Sequence, residues 1–367
     1  MNPADRPIQR PRDAKLLAID ARGRITHMAR RRFVDVLRPG DLVIANDAAT
    51  LPASLRGVHG PSRADIEVRL AGRSSLAAES VTAFSAVVFG GGDFRTRTED
   101  RALPPALAPG DRLELGPLSA TVEALLDHPR LVSVRFDGSP AAIWAGLARH
   151  GRPIQYAHVP APLALWDVWT PIAGLPVAFE APSATFALDW RSLQSMRDRG
   201  IAFATITLAA GISSTGDPDL DRRLPFDEPY RISEATARLI HRAKNEGRRV
   251  VAVGTTVVRA LEHAAAEDGT PRPGDHVATA RIGPGSKLRI ADVILSGTHE
   301  PGSSHYQLLR AFADDTTLER ANGALEAGRY RTHEFGDSVL IERMPRVGVS
   351  ASDGPDVPSD ACGLAAA

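Results

Sequence analysis

Three stretches of this chain hold residues whose types and spacing could do chemistry. The first is Gly254-Thr255-Thr256, where a flexible turn residue precedes two hydroxyls. Free backbone amides at a helix start favour anions, so a turn of this kind can hold a carboxylate or phosphate. An ordinary strand-to-helix turn capped by a threonine explains the same three residues. The second is Asn46-Asp47, a polar pair at the end of the apolar run Leu42 to Ala45. It either lines a site or closes its strand as an Asx turn. The third is Ser296 to His299, delivered by the apolar run Ile290 to Leu295. Its imidazole suits proton transfer near neutral pH.

Regular elements must position these groups. Val250 to Val253 is a short unbroken β-branched run, read as a strand buried on both faces. Gly254 breaks it, and Val257 to Ala266 resumes with helical spacing until Gly269 and Pro271 stop it. The same alternation holds from Val177 onward. Asp189 caps a helix to Arg199, and Ile201 to Leu208 is the next strand, with Leu208-Ala209-Ala210-Gly211 leading into a polar loop. Ser233 caps a helix to Asn245, Ser303 or Ser304 one to Ala313, and Thr316 or Thr317 one to Ala327. Tyr330 to Leu340 closes the domain. Strands alternating with helices imply mostly parallel pairing and right-handed crossovers.

The texture differs between Leu51 and Phe136. Short alternating segments recur there between Gly, Pro and Asp clusters, which predicts a small antiparallel barrel or sandwich. Its best hairpin is Thr121 to Arg135, turning at Asp127-His128-Pro129. Nearer the N-terminus, Lys15 to Asp20 is a strand and Phe33 to Leu37 a short helix. Gly151 to Pro176 is rich in Pro and aromatics, and a long irregular stretch in a compact protein is more often functional than not.

Composition narrows the function class. The 367 residues are 43% hydrophobic, enough for two domains, and Lys plus Arg equals Asp plus Glu at 44 each. No global field draws the chain to nucleic acid or to a membrane. The run Arg30 to Arg32 fits a local phosphate partner or a solvated face. A single cysteine, Cys362, excludes a disulfide framework within the chain and a cysteine-rich zinc site. With a polar N-terminus and no apolar run of spanning length, a cytoplasmic monomer with no membrane role is expected. The histidines are scattered and no helix carries ligand spacing, so no metal is expected.

Laid side by side, these landmarks resemble the S-adenosylmethionine:tRNA ribosyltransferase-isomerase family, which makes epoxyqueuosine. The likeness is carried by Pro39 to Asp47, Leu51-Pro52-Ala53, Ala181-Pro182-Ser183-Ala184, Val251 to Glu262, Thr298-His299-Glu300-Pro301, and Tyr330-Arg331 with Phe335-Gly336-Asp337. It implies an α/β fold: a mostly parallel-sheet domain, residues 10–51 and 141–345, with a small antiparallel β-barrel inserted over 52–140. Residues 346–367 are expected to be disordered.

The resemblance also implies chemistry. The sulfonium of S-adenosylmethionine acidifies the adjacent ribose carbon; proton loss, departure of adenine, attack by a tRNA 7-deazaguanine aminomethyl group and loss of methionine follow. Such a sequence needs a base, a proton donor and groups that fix the methionine and ribose. His299 and Glu228 are the implied catalytic residues. Asn46, Asp47, Pro182, Ser183, Gly211, Gly254, Thr255, Thr256, Arg259 and Asp337 are the implied substrate contacts. Arg259 fits a substrate anion, or a plain ion pair with Glu262 or Glu228. The family's motifs are altered here: Ala48-Ala49 replace Thr-Arg, and Ala187 and Ala209 stand where histidines are usual. Two alternatives stay open: an S-adenosylmethionine-using enzyme with a small-molecule acceptor, and a non-catalytic nucleoside-binding relative.

Overall fold

Apolar runs without alternation need cover on both faces, and the strands supply it. In a computed structural model, which describes residues 1–93, 95–265 and 269–345, Leu42 and Ile44 enter one core while Val43 and Ala45 enter another on the opposite face. Val250 and Ala252 divide from Val251 and Val253 in the same way. Helices Glu234–Asn245, Thr255–Ala264 and Asp315–Ala327 cover the first face, and Arg30–Val36 with Trp190–Asp198 cover the second. Each fully buried Val or Ile here contributes about 1.5–3 kcal/mol of transfer free energy.

The covered sheet has nine strands. In spatial order they are Gly274–Ala278, Glu228–Ile232, Ala202–Leu208, Leu42–Asn46, Val250–Val253, Val293–Gly297, Ser338–Glu342, Lys15–Ile19 and Ile25–Ala29. The middle is parallel, as the strand and helix alternation requires. Antiparallel pairs flank it, so the sheet is mixed. Strands Ser54–His59, Asp65–Gly72, Ala83–Gly90, Arg112–Leu115, Leu118–His128 and Leu131–Phe136 close into an antiparallel barrel with its own core. The chain leaves for the barrel just beyond the carboxyl end of Leu42–Asn46. The barrel therefore stands over the end of the sheet where ligands bind in α/β folds.

Several boundaries depart from the sequence reading for local reasons. The strand expected from Ile290 begins at Val293, because the Glu262 carboxylate accepts the amides of Arg289, Ile290 and Ala291. Those amides are thereby lost to the sheet. The helix after Ser303 ends at Leu309, and Phe312 turns into the core. The next helix is capped by Asp314, which accepts from Thr317, so a carboxylate takes the place expected for Thr316 or Thr317. The barrel hairpin turns at Pro129-Arg130, one step beyond the expected position. The short helix near Phe33 is a 3₁₀ turn over Arg30–Val36. Arg30 is buried, bonding the Gly336 and Gln9 carbonyls, so the Arg30 to Arg32 run is not one solvated stripe. Ala266, Cys362 and the tail 346–367 lie outside the described residues.

Candidate active site

Four parallel strands point the same way, and their carboxyl ends deliver the polar residues. Leu42–Asn46 ends in Asn46 and Asp47, Ala202–Leu208 leads to Gly211, Val250–Val253 leads to Gly254, and Val293–Gly297 leads to His299. Gly254 has φ 104° and ψ 152°, a conformation essentially confined to glycine. It turns the chain straight into the helix Thr255–Ala264. Gly254 itself takes the cap position expected for a threonine, and no side chain caps this helix. Thr255 and Thr256 form its first turn, so the partial positive charge of the helix start faces outward.

That helix start borders a cavity of about 180 Å³. Gly211, Glu228, Thr255, Thr256, Arg259, Glu180 and His305 are among the residues lining it. Arg259 and Glu228 meet there as a buried ion pair, each side chain 5% exposed. Arg259 also donates to the carbonyls of Phe226 and Ala278, and Glu228 accepts the Gly211 amide at 2.8 Å. Of the two partners expected for Arg259, the fold selects Glu228, while Glu262 holds a loop. Burial pushes the Glu228 carboxyl upward, against the lowering effect of Arg259 and of the Gly211 amide. Removing either partner would strand a charge, so the pair is a structural lock on the cavity wall.

Groups with perturbed proton affinity line the same cavity. Glu180 is buried, and burial followed by repulsion from Glu334 pushes its pKa up to about 8. It also lines a second cavity, of about 520 Å³, that lies against the barrel residues Arg69, Arg97 and Thr98. His305 stacks on His299 with centroids 4.2 Å apart. Burial, then the nearby imidazoles, holds His299 well below its usual pKa, and burial also lowers His305. Gly297 admits the His299 ring, since a Cβ there would lie 3.3 Å from its Nε2. A protonated carboxyl and a neutral imidazole lining one cavity can give one proton and take another.

The expected residues divide into two groups. Gly211, Glu228, Thr255, Thr256 and Arg259 line the smaller cavity, and His299 stands behind His305. Asn46 is consumed locally, donating to the Leu208 carbonyl and accepting from Ala48 and Leu208, which is an Asx turn. Asp47 accepts from the Thr207 hydroxyl at 2.6 Å. Asp337 is buried and accepts the amides of Lys15 and Arg331, tying strand ends together. Pro182 and Ser183 begin a 3₁₀ turn beside Glu180. Sequence reading missed Glu180, His305, His158, His333 and Glu334. The histidines that are scattered along the chain converge: His158 stacks on His333 at 4.5 Å, and both lie by Glu334. The irregular character of Gly151 to Pro176, which contains His158, was the only signal for any of them.

Comparison with known proteins bears on this arrangement. A family model described as "Queuosine biosynthesis protein" matches residues 2–341. The S-adenosylmethionine:tRNA ribosyltransferase-isomerase of Methylobacterium sp. (strain 4-46) is 32% identical over 348 residues, covering 92% of this chain and 94% of that one. The enzyme of the same name from Synechococcus elongatus is 33% identical over 359 residues, covering 92% and 93%. A crystal structure of S-adenosylmethionine tRNA ribosyltransferase from Thermotoga maritima aligns with TM-score 0.48 and 23% identity, over 92% of this chain and 96% of that one. With the family model spanning both the barrel and the sheet that carries the cavity, the chain belongs to the queuosine biosynthesis protein family.

Proposed function

We propose that this chain transfers and isomerises the ribosyl moiety of S-adenosylmethionine onto a 7-deazaguanine base of tRNA, giving epoxyqueuosine and releasing adenine and methionine. The observation that carries the reading is the position of Glu180, which lines both the small cavity at the helix start and the larger cavity against the barrel. A group placed there can serve the nucleoside on one side and the incoming base on the other. The relatives named above are called S-adenosylmethionine:tRNA ribosyltransferase-isomerases, and they align over nearly the whole chain.

Each group then has a role set by its charge. The uncapped helix start at Thr255 and Thr256 suits the carboxylate of the methionine end. The Arg259–Glu228 lock fixes the Gly211 loop, so these two residues position the site and do not contact reacting atoms. His305, backed by His299, is neutral and can remove the proton that the sulfonium acidifies. Glu180 carries a proton at neutral pH and can donate it to departing adenine.

The test is to incubate purified protein with S-adenosylmethionine, with and without tRNA bearing 7-aminomethyl-7-deazaguanine, and follow adenine and methionine. Release that depends on this tRNA is expected. Release with a small acceptor and none with tRNA would replace the tRNA reading with the small-molecule one. Nucleoside binding without release under any condition would leave a non-catalytic relative.

A further inference from the structure

Glu180, His299 and His305 have roles in the proposed reaction, but three further residues that line the larger cavity have none. His158, His333 and Glu334 each offer one donor atom, and the three atoms lie within 4.8 Å of one another. His158 comes from the irregular stretch after the barrel, and the other two come from the loop before the last sheet strand. More than 170 residues of chain separate elements that the fold has brought to one point. Among the described residues this is the only such convergence of histidine, cysteine and acidic groups.

Two of the donors are buried and have no partner but each other. The Nε2 of His158 and an Oε of Glu334 face each other at 3.3 Å as an ion pair, and neither atom has a second partner. Their side chains are 14% and 11% exposed. Buried polar atoms with spare hydrogen-bonding capacity favour a further partner. His333 adds strain, holding φ 68°, which a non-glycine residue seldom adopts. Tyr156 stacks on His158 at 5.7 Å, and His333, stacked on His158 with planes 18° apart, needs only a side-chain rotation to turn its nitrogen toward the same point.

A bound cation would give both of these atoms, the His158 Nε2 and the Glu334 Oε, a further partner. Tetrahedral zinc with ligand bonds of about 2.0–2.2 Å places its donors roughly 3.3–3.5 Å apart. The His158 to Glu334 spacing of 3.3 Å meets that value already. We propose that His158, His333 and Glu334 form a binding site for a divalent transition ion of the zinc class. Two imidazoles and a carboxylate are the donor set such ions prefer over calcium or magnesium, which take oxygen. The site borders the 520 Å³ cavity that Glu180 also lines, so an ion here would lie along the wall facing the barrel.

The competing explanation is a plain His158–Glu334 ion pair, and metal binding separates the two. Untagged full-length protein is stripped with a chelator, then titrated with Co²⁺, followed by its visible absorption, and with Zn²⁺ by equilibrium dialysis and elemental analysis. One equivalent of Zn²⁺ that displaces Co²⁺ is expected. H158A and E334Q should each weaken Zn²⁺ by at least about tenfold. H241A, on an exposed helix face, should leave binding unchanged. Circular dichroism checks that each variant is folded, and Zn²⁺ should raise the Tm of the wild type more than that of either variant. Absence of stoichiometric binding, or equal binding by the H158A/E334Q double variant, would overturn the proposal. Because the readout is binding, its failure is distinct from failure of the ribosyl-transfer reading.

Discussion

The imidazoles of His299 and His305 stack face to face, their centroids 4.2 Å apart and their planes 12° from parallel. Two protonated rings at this distance would repel, and burial already disfavours either charge. Burial first, and then the neighbouring rings, drives His299 well below the usual 6.5, while for His305 burial outweighs the opposing effect of Glu334. The sign of the linkage follows. The unfolded chain takes up protons below about 6.5 and the folded chain does so only at lower pH, so the unfolded state binds more. Stability contributed by these rings is present above 6.5 and declines as the pH falls through the lower folded values. NMR titration of the imidazole protons measures this directly. Both midpoints should lie below the usual 6.5, that of His299 well below it, and a midpoint at or above 6.5 for His299 would contradict the burial argument.

The Arg259–Glu228 lock gives a prediction about stability that a substrate-binding role for Arg259 does not. Arg259→Met leaves Glu228 buried without its partner, and denaturant unfolding should show a loss of about 3–5 kcal/mol. The double variant R259M/E228L removes both charges and should recover most of that loss, because isosteric apolar pairs often match buried ion pairs. The activity should not return with it, since the Gly211 amide loses its acceptor. A double variant as unstable as R259M alone would show that the arginine acts through something other than the pair.

What could be read from the sequence followed contact distance along the chain. Val250–Val253, the break at Gly254 and the caps at Asp189 and Ser233 depend on neighbours a few residues away, and they sit where the local pattern places them. The barrel was visible as a change of texture because alternation is also local. Ile290 was misassigned because Glu262, 28 positions earlier, takes its amide. Glu180 looks ordinary in sequence. Its raised pKa arises from burial and from Glu334, 154 positions further on, and no window of sequence contains both. Asn46 stood out as a polar strand end and Asp337 as part of a motif, and both accept backbone amides that join strands of the fold.

The turn at Gly254 can be tested for strain apart from space. A Cβ added there would meet Ala184 at 3.6 Å and the Thr256 hydroxyl at 3.6 Å, which is ordinary contact. Its φ of 104° is nonetheless a conformation L-residues avoid. Gly254→Ala should therefore destabilise the protein by about 1–3 kcal/mol through the backbone alone. Because the helix start moves with it, affinity for S-adenosylmethionine should fall in parallel, as calorimetric titration would show. An alanine variant with unchanged Tm and affinity would mean that the turn relaxes freely and does not position the helix.

Glu180→Gln separates the proton on that carboxyl from its shape. In chelator-stripped protein, where no cation offsets Glu334, the folded pKa of about 8 against 4.5 for an ordinary glutamate means that the folded chain holds one proton more than the unfolded chain between those values. Stability therefore falls as the pH rises from about 4.5 through 8. Glutamine mimics the protonated carboxyl and carries no such loss, so the variant should be more stable than the wild type at pH 8 and closer to it at pH 5. Its amide cannot release a proton to a leaving group, and the rate of adenine release should drop by about 10²–10⁴-fold. A structural role predicts the stability change without the rate change, and a catalytic role predicts both. Wild-type activity should also decline as the pH rises through 8, while the residual activity of the variant should lack that limb. Retention of the limb in Glu180→Gln would assign the proton to another group, and His305 is then the next to vary.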